Sequence, residues 1–389
     1  MSKQVGNVAL MQKMNRLRVL NFIRKNPDIS RPVISEKTGL SLASITNITA
    51  YLLDAGFLVE SGIEPADRVG RKSTLLRFGA DRYGLAVATL DDGVADVFYT
   101  NLEGAVREHK RYIINDFSSE QVISLLREKI NSLLDKYGKK NTLAMGITFS
   151  GLVLDGSRFV LSSSMKWKEL DIRRVFEEDT GLPVFLENIS MLRAVSYSSI
   201  HTEEQNTNTV FVDLQNGIGA VQLYSGQIVH TVLGEIGHTT VEQNGLMCFC
   251  GNRGCLEAMC SRARVLQLYN ERSDNPAESV AEICTMYEKH DICAINAINE
   301  CGTYLGIGLA NLISLFRPGT LVINKGQFTD CEALLDVAVS EMKKRTYSAL
   351  TQGLCVRMID VAQSDMIRGA AFEICDRLFD ISFSANPIR

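Results

Sequence analysis

Four potential metal ligands lie close together in the second half of the chain. They are one imidazole and three thiols, from His238, Cys248, Cys250 and Cys255. One imidazole and three thiolates form a closed tetrahedral donor set suited to structural zinc. The spacing therefore predicts a bound Zn²⁺ that stabilises the fold and carries no catalytic water, and the glycines between the thiols let the chain turn around the ion. Buried or redox-active thiols are the alternative interpretation.

The other cysteines are scattered and suggest no second metal site. Cys260 is close to the cluster but surplus to a four-ligand set. The rest fall in apolar or helical segments, where a thiol packs as a small hydrophobic group; they are Cys284, Cys293, Cys301, Cys331, Cys355 and Cys375. Because disulfides are rare in reducing compartments, all of these are predicted to be packing residues without a function of their own.

The charge of the chain is unevenly distributed. Residues 1–80 contain 12 Lys or Arg and 6 Asp or Glu, whereas the rest of the chain contains 29 basic and 39 acidic residues. A basic head on an acidic body indicates that the head contacts a polyanion. With 46% hydrophobic and 22% charged residues the composition is that of a globular protein. We find no transmembrane span or signal peptide, which predicts a cytoplasmic protein with no membrane partner.

The head has the pattern of a winged helix-turn-helix. Leu17, Leu20 and Ile23 have helical periodicity, and Asn26-Pro27-Asp28 ends that helix. Ser30 is predicted to cap a short helix that Gly39 closes, and Ser41 to cap a third helix. The third helix carries an apolar stripe formed by Leu42, Ile45, Ile48, Leu52 and Leu53. Residues 57–78 then form a wing, and the third helix is expected to lie in the major groove of double-stranded operator DNA.

Candidate DNA contacts lie on this helix, before it, and in the wing. Asn47 can pair with an adenine edge, and the wing arginines can contact phosphates or enter a narrow minor groove. The full set is Ser30, Arg31, Ser41, Ser44, Thr46, Asn47, Arg68, Gly70, Arg71 and Lys72. A winged helix that binds protein is the alternative, and the basic charge favours nucleic acid.

The remaining residues alternate between strand-like and helical segments, which predicts an α/β architecture. The predicted segments are strands over 83–88, 96–100, 142–149, 183–186, 209–214 and 220–223, with helices over 119–137 and 172–179. Because strand-rich stretches begin twice, at residue 83 and at residue 209, we expect two related lobes. The chain is thus divided into a head over 1–80 and a body over 81–389.

Taken together, the zinc segment, its lead-in Gly234-Glu235-Ile236-Gly237-His238 and the turn Asn216-Gly217-Ile218-Gly219 resemble the ROK family (repressor, open reading frame, kinase). The winged helix places the resemblance in its transcriptional-repressor branch. The resemblance covers nearly the whole chain. It implies an actin-like, sugar-kinase-like body of two α/β lobes with structural zinc and a sugar cleft between the lobes.

The resemblance also implies which residues bind a carbohydrate effector. Glu235, His238 and Glu257 would face the sugar, with His238 contacting zinc and ligand through its two ring nitrogens, and Asn188 is a further candidate. Carboxylates and an imidazole accept hydrogen bonds from hydroxyl groups, which a selective site must pair. Trp167 could stack on a sugar face or pack in the core.

Phosphotransfer is not expected, because three parts of a ROK kinase are missing. Matching to the family places Ile189 at the position of the catalytic base, or Asn188 if the match slips by one residue, and neither accepts a proton. The stretch 85–93 lacks the first phosphate loop, and Gln215-Asn216-Gly217 replaces the Gly-Thr-Gly of the second.

The sequence therefore predicts a DNA-binding repressor of carbohydrate-utilisation genes that forms a homodimer or a dimer of dimers. In this hypothesis a sugar closes the two lobes and changes the spacing of two winged helices. Control by a regulatory protein partner without any sugar is the first alternative, because the cleft lacks the family aspartate. An active kinase with an appended DNA-binding head, and activation instead of repression, are further alternatives.

Overall fold

Three helices and a small sheet form the N-terminal head. Its elements are α1 (Ser2–Lys25), β1 (Ile29–Ser30), α2 (Arg31–Thr38), α3 (Leu42–Asp54), β2 (Leu58–Ile63) and β3 (Thr74–Phe78), with sheet order β1-β3-β2. The Ser41 hydroxyl accepts a hydrogen bond from the Ser44 amide at 3.2 Å and caps α3, as expected for serine at this position. Ser30 occupies the cap position of α2, but its side chain makes no capping hydrogen bond.

These coordinates come from a computed structural model. It describes residues 2–63, 73–91, 93–154, 158–162, 167–168, 171–201, 207–215, 217–229, 234–383 and 385–388. Within those ranges, none of the helices combines the length and the apolar composition required to cross a bilayer.

The predicted apolar stripe of α3 is only partly buried. Ile45 and Leu52 are fully buried, whereas Leu42 is 51% exposed. Leu42 is the first residue of the helix, and its side chain lies outside the core that the following turns contact. The stripe therefore begins one turn later than the sequence indicates.

A single glycine makes the turn between α2 and α3. Gly39 has a φ of +72°, and its amide donates to the Ser35 carbonyl at 2.9 Å. A Cβ at this position would meet no atom within 4 Å, so backbone strain is the only cost of adding one. Gly39→Ala is expected to lower the free energy of unfolding by about 1 kcal/mol, measured by urea denaturation.

Gly319→Ala is the matched control for this substitution. Gly319 is not among the residues with positive φ, and a Cβ there would lie 3.8 Å from its nearest neighbour. Equal losses in the two variants would contradict the assignment of a left-handed turn at Gly39.

The first lobe is built on a mixed five-stranded sheet of order β11-β7-β4-β5-β6. Its elements are β4 (Gly84–Asp91), β5 (Val94–Asn101), β6 (Val106–Ile113), α4 (Ser119–Tyr137), β7 (Thr142–Phe149), β8 (Leu152–Leu154), β9 (Arg158–Ser162), β10 (Trp167–Lys168), α5 (Ile172–Thr180), β11 (Val184–Asn188) and α6 (Ile189–Ile200). Trp167 is 6% exposed and packs in the core of this lobe with Ile172 and Phe176. Of the two interpretations of Trp167, the structure favours a core tryptophan.

The second lobe repeats the pattern with a sheet of order β14-β13-β12-β15-β16. Its elements are β12 (Asn208–Asp213), β13 (Gly219–Tyr224), β14 (Gln227–Ile228), α7 (Leu256–Cys260), α8 (Arg262–Asn270), α9 (Val280–Glu288), α10 (Ile292–Phe316), β15 (Thr320–Asn324), α11 (Glu332–Arg345), α12 (Ser348–Thr351) and β16 (Cys355–Ile359). In each sheet three strands are parallel and two are antiparallel. The repeated order confirms the two related α/β lobes.

After the second sheet the chain returns to the first lobe. Helix α13 (Gln363–Leu378) packs along α6 and shares one hydrophobic cluster with both the head and strand β4. The end of α13 therefore lies between the head and the first lobe.

One prediction about the scattered cysteines is wrong. Cys284 on α9 and Cys331 at the start of α11 form a disulfide, with their Cα atoms 5.8 Å apart. That separation is within the normal range for a disulfide. The two residues are 47 positions apart in the chain, so only the packing of α9 against α11 brings them together.

Candidate functional sites

The exposed face of α3 carries most of the predicted DNA contacts. Ser41, Thr46 and Asn47 are exposed, and Ser44 is half-buried. The Thr46 hydroxyl donates to the Leu42 carbonyl at 2.8 Å, which leaves the Asn47 side chain as the most available polar group of this face. The arrangement presents a short polar surface on the second helix of a helix-turn-helix.

Two predicted contacts have internal roles instead. Ser30 is only 2% exposed, so its side chain lies inside the head and the prediction that it contacts DNA is corrected. Arg31 donates from Nε to the Thr49 hydroxyl at 2.9 Å and thereby joins α2 to α3. Its half-buried side chain helps to orient the two helices. Arg68, Gly70, Arg71 and Lys72 of the wing lie outside the described residues.

The predicted metal ligands come together in one cluster. The ligand atoms of His238, Cys248, Cys250 and Cys255 all lie within 4.8 Å of one another. Cys248 and Cys255 are buried, and the other two are half-buried. Glycine is required in this loop, because a Cβ on Gly254 would lie 1.6 Å from the Glu242 carbonyl oxygen and its φ is +68°.

The distances in the cluster fit a tetrahedral zinc ion. A Zn–S bond of about 2.3 Å implies sulfur atoms about 3.8 Å apart at the corners of a tetrahedron. The Sγ atoms of Cys250 and Cys255 are 3.6 Å apart, and Cys248 Sγ lies 3.5 Å from His238 Nδ1. Burial and the two neighbouring thiols raise the pKa of Cys255 to about 12, so three thiolates in this space require a cation. The donor set and its geometry suit a closed metal site.

The imidazole of His238 faces both the metal cluster and a neighbouring carboxylate. Nδ1 points towards Cys248, whereas Nε2 lies 3.8 Å from Glu235 Oε2. Although 42% of the Glu235 side chain is open, partial burial raises its pKa, as does nearby Glu257, while His238 opposes this shift. This pairing of metal-facing and cleft-facing nitrogens is the one that the resemblance implies.

A cavity of about 1290 Å³ lies between the two lobes and contains all the predicted effector residues. Glu257 accepts a hydrogen bond from the Ile218 amide at 3.1 Å. A Cβ on Gly217 would lie 2.7 Å from Glu257 Oε2, so glycine is needed at that turn. Glu257 therefore holds the turn between β12 and β13 against the cleft.

Asn188 and Ile189 lie where the two lobes meet. The Asn188 amide group donates to the Gly151 carbonyl at 2.7 Å, and its oxygen accepts from the Ser190 amide at 2.8 Å. Asn188 thus caps α6 and anchors a loop of the first lobe. Ile189 is 2% exposed and belongs to the core cluster that α13 shares with the first lobe. The structure brings both residues to the cleft wall with no proton acceptor between them.

A buried charge network at the base of the cleft was not predicted from the sequence. Arg193 on α6 donates to Asp213 Oδ2 and to Asp91 Oδ2, each at 2.8 Å. Asp213 also accepts from Ser190 and Asn324, both at 2.7 Å. Burial lowers the pKa of Arg193, but the two carboxylates outweigh burial and the net pKa is raised.

This network joins the two lobes, because Asp91 ends strand β4 and Asp213 ends strand β12. Its signal in the sequence is an arginine within the mostly apolar and small residues of α6. That signal identifies a candidate partner for a buried acid but not which acid.

Profile comparisons match two parts of the chain. The ROK family profile matches residues 92–375, and a profile described as winged helix-turn-helix DNA-binding matches residues 15–59.

Individual proteins resemble the chain over most of its length. The xylose repressor of Bacillus subtilis (strain 168) is 26% identical over 384 residues, which cover 97% of this chain and 99% of the repressor. The crystal structure of a ROK family transcriptional regulator, a homologue of the E. coli MLC protein, superposes with a TM-score of 0.78 and 25% identity, covering 93% of this chain and 95% of that one. A ROK glucokinase from Streptomyces griseus, in complex with glucose and AMPPNP, gives a TM-score of 0.60 at 19% identity, covering 75% and 98%, and shows the shared fold.

Proposed function

The chain belongs to the ROK family, and from this premise we propose that it is a DNA-binding transcriptional repressor whose two-lobed body senses a carbohydrate. The observation that carries the proposal is the exposed polar face of α3 on a helix-turn-helix within the basic head. A helix placed in this way can enter the major groove, and the surrounding positive charge supplies affinity for phosphates. The repressors that resemble the chain over nearly its whole length support the same function.

The four-ligand cluster is proposed to hold structural zinc. His238 and the three cysteines would each supply one ligand atom, and a set of four protein ligands leaves no open position for water. When bound, the ion would contribute folding energy and fix His238 Nε2 towards the cleft. The residues of this chain then present Glu235, His238 Nε2 and Glu257 as acceptors or donors for hydroxyl groups.

We propose a neutral sugar as the effector, since these acceptors face the cavity between the lobes. Binding across both lobes would favour a more closed body and shift the population of head positions in a dimer. Repression would then be relieved when the two winged helices no longer match their half-sites. The proposed head over 1–80 and body over 81–389 divide these two tasks, with the body also forming the dimer in the cytoplasm.

Kinase activity is not part of the proposal. Arg193 spans the space between the ends of β4 and β12, where kinases of this family carry their two phosphate turns. The guanidinium is already paired with two carboxylates, so this region offers negative charge and no free cation to a phosphate. The absence of a base at Asn188 and Ile189 supports the same conclusion.

A second candidate function is a repressor that responds to a protein partner instead of a sugar. The observation that favours it is the occupied side chain of Asn188, whose amide is used by Gly151 and Ser190. In that case Asn188 is structural, and the cleft grips a sugar through fewer groups.

The proposed function is tested by fluorescence anisotropy with DNA from the upstream region of the protein's own gene, at fixed salt. We expect Asn47→Ala to weaken operator binding about 5-fold to 100-fold, because a base-specific contact contributes about 1–3 kcal/mol. Asn275→Ala, an exposed asparagine of the body, is the matched control and should leave affinity unchanged.

Addition of D-xylose, N-acetylglucosamine or D-glucose distinguishes the two candidates. Release of the DNA by one of these sugars supports the sugar-sensing repressor. Tight binding that no sugar changes supports control by a protein partner, and the absence of specific DNA binding would refute both candidates.

A further inference from the structure

Two consecutive residues of α13 form ion pairs with different parts of the molecule. Asp376 pairs with Arg24 of α1 in the head, whereas Arg377 pairs with Glu187 at the end of β11 in the first lobe. Neither pair is part of the proposed DNA, metal or sugar sites. Together they connect the first helix of the head with the strand that carries Asn188.

The contact with the head is buried and includes several interactions. Arg24 donates to Asp376 Oδ1 at 3.0 Å, and the Arg24 side chain is only 7% exposed. Its guanidinium also lies 5.4 Å from the ring centroid of Phe379, just beyond the end of α13. The Asn21 amide donates to the Phe379 carbonyl at 3.2 Å. Both polar side chains of α1 therefore hold the end of α13.

Aromatic packing makes this contact rigid. Phe379 is fully buried, and its ring meets those of Phe57 and Phe78 edge to face, with centroids 5.7 and 6.2 Å apart. Residues of the head, α13 and the first lobe share a single hydrophobic cluster. Close packing of this kind transmits a displacement of one element to its neighbours.

The contact with the cleft is equally direct. The Arg377 guanidinium pairs with the Glu187 carboxylate and donates to the Leu186 carbonyl at 3.4 Å. The other oxygen of Glu187 accepts the amide of Asn188 at 3.0 Å. Because Asn188 lines the cavity between the lobes, the backbone at the cleft wall is held by a side chain of α13.

Helices α13 and α6 are fixed to each other along their length. The Ser196 hydroxyl of α6 donates to the Asp365 carbonyl at 2.6 Å. A Cβ on Gly369 would lie 2.3 Å from Ser196 Oγ, so the two helices cross at the closest distance that glycine allows. A movement of α6 at the cleft must therefore displace α13 as well.

We infer that α13 is the coupling element between the cleft and the DNA-binding head, acting through the ion pairs Glu187–Arg377 and Asp376–Arg24. The inference rests on the proposed function for its biological meaning, whereas the mechanical link can be measured without DNA. Glu187 and Arg377 are positioning residues in this scheme, because they act on the head only through α13.

The experiment is hydrogen exchange of the full-length protein, followed in the peptides that contain residues 17–25 and 74–78 of the head. Glu187→Gln should make exchange in these peptides at least about fivefold faster, although residue 187 contacts no part of the head. Asp376→Asn, which removes the contact with Arg24 directly, should produce a similar increase. Glu178→Gln removes an exposed ion pair of α5 and should change exchange in the head by less than about twofold.

A change confined to β11 and α6 in Glu187→Gln would overturn the inference. If this variant fails to fold, Arg377→Lys retains the charge but loses the planar contact with Glu187, and unchanged exchange in its head would overturn the inference equally.

Anisotropy with upstream DNA separates this test from that of the proposed function. Wild-type protein that binds no DNA refutes the repressor, while the exchange result still decides the mechanical link. If the wild type releases DNA with D-xylose, Glu187→Gln should require at least about fivefold more sugar. Unchanged sugar dependence in this variant would contradict a role of α13 in coupling.

Discussion

Replacement of Cys250 by serine is expected to abolish zinc binding and to lower the thermal unfolding midpoint by about 6–12 °C. Removing one of four ligands leaves an incomplete donor set, and the folding energy contributed by a structural ion is lost with it. We expect a loss of about 3 kcal/mol or more, and a domain of this size loses about 2–4 °C per kcal/mol. Zinc content by elemental mass spectrometry and the midpoint by calorimetry are the measurements.

Cys293→Ser is the matched control for the zinc prediction. Cys293 is a half-buried free thiol outside the cluster, and its replacement should leave one zinc per chain and a midpoint within about 2 °C. Full zinc content in Cys250→Ser would show that Cys250 is not a ligand. A normal midpoint after complete loss of zinc would show that the ion does not stabilise the fold.

Arg193→Met is expected to lower the free energy of unfolding by about 3–5 kcal/mol, because it leaves Asp91 and Asp213 without their cation. The side chains of Arg193 and Asp213 are only 9% and 1% exposed, so water cannot replace the lost contact. Urea denaturation followed by the fluorescence of Trp167 gives the value for the first lobe, in which this tryptophan is buried.

The control for the arginine prediction removes an ion pair at the surface. Arg174 and Glu178 of α5 are 71% and 65% exposed, so Arg174→Gln should cost about 0.5 kcal/mol or less. If both arginine variants lose less than about 1 kcal/mol, the buried network does not hold the lobes together.

Elements with strong local signals were predictable from the sequence. Helix α4 runs over Ser119–Tyr137 as predicted, because a Ser118 capping box begins it and buried positions repeat with helical periodicity. Strand β7 over Thr142–Phe149 also matches the prediction, since a continuous apolar run between turns indicates a buried strand. The metal cluster was predictable for a similar reason, because its ligands lie within one short segment.

Contacts between distant segments were not predictable in this way. Arg193 reaches Asp91 across 102 positions, and Cys284 reaches Cys331 across 47. Each of these side chains has an ordinary local pattern, and its partner depends on how helices and sheets pack. The same limit applies to Ser30, which sits at a plausible cap position but is buried by the packing of the head.

The docking of the head onto α13 has a consequence for the order in which the protein is synthesised and assembled. Arg24 and Asp376 are 352 positions apart, so the ribosome must make almost the whole body before this contact can form. Domains generally fold as units during synthesis, and the contacts within the head are local enough for it to fold early. A nascent chain that lacks residues 363–379 would therefore carry a folded head that is not yet anchored to the body. In the growing polypeptide, the ability to bind DNA would precede the ability to respond to a ligand.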